Sequence, residues 1–137
     1  TVAALLFTAE EVYACNLGDS RIYRLRGRVL TQMSVDDSEP VPEGTGHGKP
    51  PLTQYLGVFP DELTLVPHLV KSALKPGDFY LLCSDGLTDL LPNVMIADCI
   101  RQHTSVRQIT DHLLRAALQN GGRDNVSVIG IKINELR

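Results

Sequence analysis

The chain opens on two short apolar runs, residues 2–8 and 11–17, parted by Ala9 and Glu10, a pattern that predicts two antiparallel strands with a tight connection. From 20 to 25 the residues alternate, with Ile22 and Arg24 on one face and Tyr23 and Leu25 on the other, and Arg26-Gly27 then supplies a turn before Val29 to Met33. Four consecutive strands result. Between 36 and 52, "DDSEPVPEGTGHGKPPL" carries four prolines and three glycines, which excludes helix and a paired central strand. Loops of that length inside a compact domain are usually functional, so this one is a candidate substrate-facing flap. Residues 62–70 read as a strand demoted toward an edge by Pro67, and "LKPGD" at 74–78 as a turn feeding a strand over 79–84.

Two helices are expected after that strand. For the second, Ser105 and Gln108 form a capping-box pattern, and Val106, Ile109, Leu113, Ala116 and Ala117 recur at helical spacing on one face. Asn120-Gly121-Gly122 ends it, and "NVSVIGIKI" from 125 to 133 reads as a last strand. Strands, two helices and a strand indicate an α+β layered fold in which helices cover one face of a mainly antiparallel sheet.

At 137 residues and 43% hydrophobic, the chain suits one compact domain with a real core. Its net charge of -3 supplies no concentrated positive face for nucleic acid. The basic cluster Arg21, Arg24, Arg26 and Arg28 lies on a strand and its turn, so at most part of it shares a face. Three cysteines, Cys15, Cys83 and Cys99, sit in apolar runs without CxxC spacing and read as buried reduced thiols. No apolar run is long enough for a membrane span, and no basic leader opens the chain, so a cytoplasmic location is expected. The strand-like opening "TVAALLF", with no methionine, leads us to expect a piece of a larger domain.

Three stretches share a design, a small turn-permissive residue beside an aspartate at the end of an apolar strand: Gly18-Asp19-Ser20, Ser84-Asp85-Gly86 and Gly122-Arg123-Asp124-Asn125. Any one aspartate could simply cap a turn. Three at the edge of one sheet would repel unless something positive lay between them, and a divalent cation does that best. Oxygen-only ligation favours Mg²⁺ or Mn²⁺ over zinc. Asp85 and Asp89, at i and i+4, share a side if the chain turns helical there; the alternative for Asp89 is a solvated residue in a first helical turn, stabilised by the helix dipole. Gly86 leaves the backbone free to turn. Arg123 is expected to pair with Asp124, and Asn125 to bond a turn or hold Asp124 in place. His47, in the flap, could donate a proton but as a lone loop histidine reads as solvated, and His68, His103 and His112 show no ligand spacing. The common hydrolase, zincin and nucleotide-binding motifs do not occur.

The stretches "ACNLGDSRIYRLRGRVLTQMSVDDS", "LTQYLG", "KPGDFYLLCSDGLTDLL" and "GGRDNVSVIGIKI" resemble, in the same order, motifs of the metal-dependent PPM family of serine/threonine phosphatases, the protein phosphatase 2C class, and especially its bacterial members. The resemblance spans nearly the whole chain. It implies part of a four-layer α-β-β-α sandwich of antiparallel sheets flanked by helices, with two Mn²⁺ or Mg²⁺ ions in a cleft and a third, weaker ion. It implies that Asp85 and Asp124 are metal ligands, that Asp19, Asp85 and Asp89 form the weaker site, and that Ser84, Gly86 and Asn125 support them. Family mechanism has a metal-activated water attack the phosphorus of phosphoserine or phosphothreonine.

The chain also departs from the family. The N-terminal half, which carries a bridging aspartate, an upstream acidic residue and usually a phosphate-binding arginine, finds no counterpart, and Thr1-Val2-Ala3 resembles the end of a segment that follows that half. Residues 1–137 thus resemble a single partial domain, the C-terminal half of a phosphatase domain, which implies an inactive or weakly active isolated chain. Where many members read "DHS", this chain reads Asp36-Asp37-Ser38, so flap-based selection of substrate does not carry over. The implied partners are phosphoprotein substrates and an opposing serine/threonine kinase, with no nucleic acid and no membrane. Apolar surface left by the missing half implies self-association. A pseudophosphatase or regulatory fragment that keeps the scaffold without the chemistry is the alternative.

Overall fold

The structure is a computed structural model and describes residues 1–40 and 49–135. Seven strands and three helices follow in the order β1 (Val2–Phe7), β2 (Glu11–Leu17), β3 (Arg21–Arg26), β4 (Val29–Gln32), β5 (His68–Ala73), β6 (Phe79–Cys83), α1 (Asp85–Thr88), α2 (Asn93–Gln102), α3 (Val106–Gln119) and β7 (Val128–Lys132). The first four strands do not form one meander. The chain changes sheets at Gly18, giving an antiparallel β1-β2-β5 sheet and an antiparallel β4-β3-β6-β7 sheet. Gly18 turns there with φ of 97°, a left-handed conformation that costs glycine little.

Alternation decides which layer each residue joins. Ile22, Tyr80 and Leu82 point toward the first sheet and pack with Val12, Ala14, Met33 and Leu74, while Tyr23, Leu25, Phe79, Leu81 and Cys83 point the other way and pack under the helices. The continuous run Phe79-Tyr80-Leu81-Leu82-Cys83 is therefore apolar because β6 is buried on both faces. Ile109, Leu113 and Ala117 of α3 and Ile96, Cys99 and Ile100 of α2 supply the helical side of that core. α3 comes close to β7 at Gly130, where a Cβ would lie 2.9 Å from both Phe79 Cζ and Val106 Cγ1. Three layers result among the described residues: sheet, sheet, helices. The outer face of the first sheet leaves Leu6, Tyr13 and Leu69 exposed. No helix among the described residues is long and apolar enough to cross a membrane.

Several boundaries differ from those the sequence predicts. The edge strand begins after Pro67, at His68, and runs to Ala73, because proline has no N–H for the ladder and β5 is bonded only through its β2 side. The helical stretch after β6 breaks into α1 and α2 at Pro92, which stands at the N-cap of α2. The last strand starts at Val128 rather than 125, since the residues before it are bonded to Ser84 instead of extending the ladder. The capping box of α3 forms as expected, with Gln108 N donating to Ser105 Oγ at 3.1 Å. Cys83 and Cys99 are buried free thiols, and burial pushes the Cys83 thiol up to about 12. Cys15 is only half-buried, against expectation, because it lies on the outward face of β2.

The arginines of β3 are engaged within the fold. Arg21 pairs with Asp36 at 2.6 Å, Arg24 donates to Ser72 Oγ at 2.6 Å, and Arg26 grips Asp78 with two bonds. Asp37, buried, accepts from Gly18 N at 2.9 Å and meets His68 Nε2 at 2.7 Å, so it fastens the turn between the sheets to the edge strand. Glu39 N also donates to Pro51 O at 3.0 Å and Thr53 N to Asp37 O at 2.9 Å, which pins the two ends of the long loop together.

Candidate metal centre

Antiparallel register places the chemistry at one end of the second sheet. Arg21 is paired with Cys83, and Cys83 with Val128, so the turns after β6 and before β7 leave the sheet side by side, next to the turn that precedes β3. Ser84 joins the first two. Its N–H donates to Ser127 O at 3.0 Å, its hydroxyl donates to Asn125 O at 3.2 Å, and the same oxygen accepts from Ser127 N at 3.0 Å. This is a different task from helix capping, and Ser84 makes no side-chain cap bond to α1.

Gly86 completes the junction. It lies inside α1 without a positive φ, so conformational freedom is not what the site needs from it. A Cβ there would stand 2.3 Å from Asn125 O and 3.0 Å from Asn125 C, closer than atoms can approach. The glycine is required for contact between two backbones, which corrects the reading of Gly86 as a turn residue.

Asp85 opens α1, and Asp124 lies on the adjoining turn. Asp85 Oδ2 is in contact with Lys49 Nζ, and Asp124 Oδ2 lies 3.3 Å from the same ammonium. Two carboxylates from distant segments thus share one cation. Asp124 is oriented by Asn125 N, which donates to its Oδ1 at 2.7 Å; this backbone bond and the Lys49 ammonium hold its carboxyl below the usual range. Asn125 does hold Asp124, through its backbone.

A cleft of about 580 Å³ opens beside these groups, lined by Lys49, Gly86, Asp89, Leu90, Arg123 and Asp124 among others. Asp89 therefore reaches the same cleft as Asp124. It stands at the C-cap of α1 and is exposed, so the solvated part of the alternative holds while the first-turn dipole part does not. Arg123 lines the cleft without an ion pair to Asp124, against expectation, because Lys49 takes that position. Asp19 stands at the same end of the sheet by register, half-buried, but no hydrogen bond or ion pair joins it to the other aspartates and it does not line the cleft. His47 lies outside the described residues. Lys49 escaped sequence reading altogether: nothing in a loop of prolines and glycines signals which of its residues will meet aspartates so far along the chain.

The arrangement fits a hard cation in part. Its donors are anionic oxygens, and the place between them already carries a positive charge. Among the described residues no three His, Cys, Asp or Glu side chains converge into a complete metal cage.

Comparison with known proteins places this geometry in context. No family model matches the chain. It is 34% identical to the serine/threonine protein phosphatase PstP of Mycobacterium tuberculosis, over 94% of this chain and 26% of PstP, and 31% identical to the protein phosphatase PhpP of Streptococcus pneumoniae, over 98% of this chain and 58% of PhpP. The catalytic domain of PstP, solved in complex with two manganese ions, superposes with a TM-score of 0.79 at 30% identity, over 97% of this chain and 58% of that one. The serine/threonine phosphatase of S. agalactiae gives 0.85 at 25% identity, over 96% and 58%. Over the stretch it shares with them, the chain is similar to these bacterial serine/threonine phosphatases in sequence and in fold. It spans about a quarter of PstP and somewhat more than half of PhpP.

Proposed function

We propose that this chain is part of a metal-dependent protein serine/threonine phosphatase and contributes one wall of its active site. The observation that carries the proposal is the convergence of Asp85 and Asp124 on a single positive charge at the end of the second sheet. Asp85 and Asp124 would hold the cation, with Asp89 beside them in the cleft and Asp19 at the rim as a weaker, outer ligand. Manganese is the natural candidate because PstP was solved with two manganese ions; Mg²⁺ in its place and a third, weaker ion belong to the same proposal. Bound there, such a cation supplies Lewis acidity toward a phosphoryl oxygen and lowers the pKa of water.

The chain's own residues have distinct tasks around it. Ser84 and Gly86 fix the spacing of the two aspartate-bearing turns, and Asn125 N orients Asp124. Lys49 compensates the carboxylates when no metal is present. Phosphoserine and phosphothreonine proteins are the substrates in this reading, and a serine/threonine kinase supplies them. The remaining ligands come from a part of the phosphatase domain that this chain does not span, so the chain alone is inactive or nearly so.

Hydrolysis of an aryl phosphate with Mn²⁺ tests the proposal, comparing this chain, the protein extended N-terminally to the length of its relatives, and the extended protein with Asp85→Asn or Asp124→Asn. Loss of several kcal/mol of transition-state stabilisation lowers the rate by about a hundredfold or more in each variant. An extended protein that is silent, or indifferent to both substitutions, overturns the reading.

A further inference from the structure

A second cluster of metal-ligating side chains lies on the helical layer, away from the aspartates. His103 stands at the C-cap of α2 and His112 midway along α3, and the turn between the helices brings their ring centres to 4.8 Å at a tilt of 45°. Their separation in sequence has no ligand pattern; only the helix-turn-helix path makes them neighbours. Both line a shallow cavity with Gln108, Asp111 and Arg115.

The tautomer of His103 is fixed by its partner. Its Nδ1 lies 2.8 Å from the carbonyl oxygen of Cys99, and since a carbonyl only accepts, Nδ1 carries the proton. Nε2 is left with its lone pair. An imidazole that donates one N–H to a backbone carbonyl and keeps the other nitrogen free is the arrangement metal-bound histidines adopt, because it holds the ring in place and raises its basicity. Two imidazoles sharing one ion at about 2.1 Å from each nitrogen have ring centres roughly 5 Å apart. At 4.8 Å between centres, the two rings are close enough for one ion to reach both.

We propose that His103 and His112 form a two-nitrogen site for an imidazole-preferring divalent ion, Zn²⁺ being the representative, which ties the end of α2 to α3. Water completes the coordination, as no third His, Cys, Asp or Glu among the described residues converges on the pair. Asp111 offers a nearby carboxylate, held only at 3.8 Å by Arg107, whereas Asp98 is occupied by Arg101 at 3.1 Å. Arg115 carries the opposing charge and weakens the site. This chemistry differs from that of the aspartate centre, whose oxygens prefer harder ions.

The test is a Zn²⁺ titration of this chain in an Asp85→Asn, Asp124→Asn background, which silences the aspartate centre, followed by calorimetry and by histidine ring resonances in NMR. Zinc is expected to bind, to shift the resonances of both rings together and to raise Tm. His112→Ala, at an exposed helical position, keeps the zinc-free Tm and loses about tenfold or more in zinc affinity. His103→Ala loses the same, and Arg115→Gln binds zinc more tightly. No zinc binding, or binding and a Tm rise unchanged in both histidine variants, overturns the inference.

Discussion

Gly86 and Asn125 approach so closely that a single methyl group on Gly86 would lie 2.3 Å from the Asn125 carbonyl oxygen. The contact sets the distance between the turn bearing Asp85 and the turn bearing Asp124. Gly86→Ala must push these turns apart. Overpacking of this kind costs about 1–3 kcal/mol. The urea midpoint is expected to fall accordingly, and Mn²⁺ affinity to fall with it; a variant with unchanged midpoint and affinity would show that the junction does not position the site.

Lys49 occupies the place between the carboxylates that the proposal gives to a metal ion. Binding of the ion must displace its ammonium. Lys49→Gln removes the competitor, so Mn²⁺ affinity is expected to rise a few-fold, equivalent to about 1 kcal/mol or less for a partly exposed pair. The gain should shrink as salt is raised, because solvent-exposed charges are screened. Isothermal titration at two ionic strengths measures both effects.

Asp78 is buried, and its carboxyl pKa is nonetheless lowered: burial pushes it up, but bonds from Arg26 and the Lys75 N–H outweigh that. A folded-state value below the unfolded one stabilises the protein above about pH 4, and this contribution disappears as pH falls through the depressed value. Arg26→Met leaves burial unopposed by the guanidinium. It should cost about 3 kcal/mol at neutral pH. The cost relative to wild type should shrink on acidification, since a buried carboxyl without its partner favours the protonated form; urea unfolding between neutral pH and pH 4 reads the difference.

Much of this was legible in the sequence. The capping box of Ser105 and Gln108, the opposite facing of Ile22 and Tyr23, and the hairpin before Gly18 are local patterns, and they formed as local physics dictates. The meeting of Asp85 with Asp124 followed from strand ends that share an edge. What stayed hidden depends on distant segments touching. The task of Gly86 is set by Asn125, the partner of Asp37 is His68, and Lys49 reaches the aspartates across the fold. The end of α1 at Thr88 also separates Asp89 from the continuous helix that its spacing suggests, because Pro92 starts a new one.

The central claim is that Asp85 and Asp124 act on one ion together. Mn²⁺ binding followed by electron paramagnetic resonance, in the N-terminally extended protein and its Asp85→Asn, Asp124→Asn and doubly substituted forms, tests it most directly. Sharing predicts that either substitution alone removes most of the affinity and that the second adds little. Independent losses that sum in the double variant, or affinity that neither substitution changes, would contradict it.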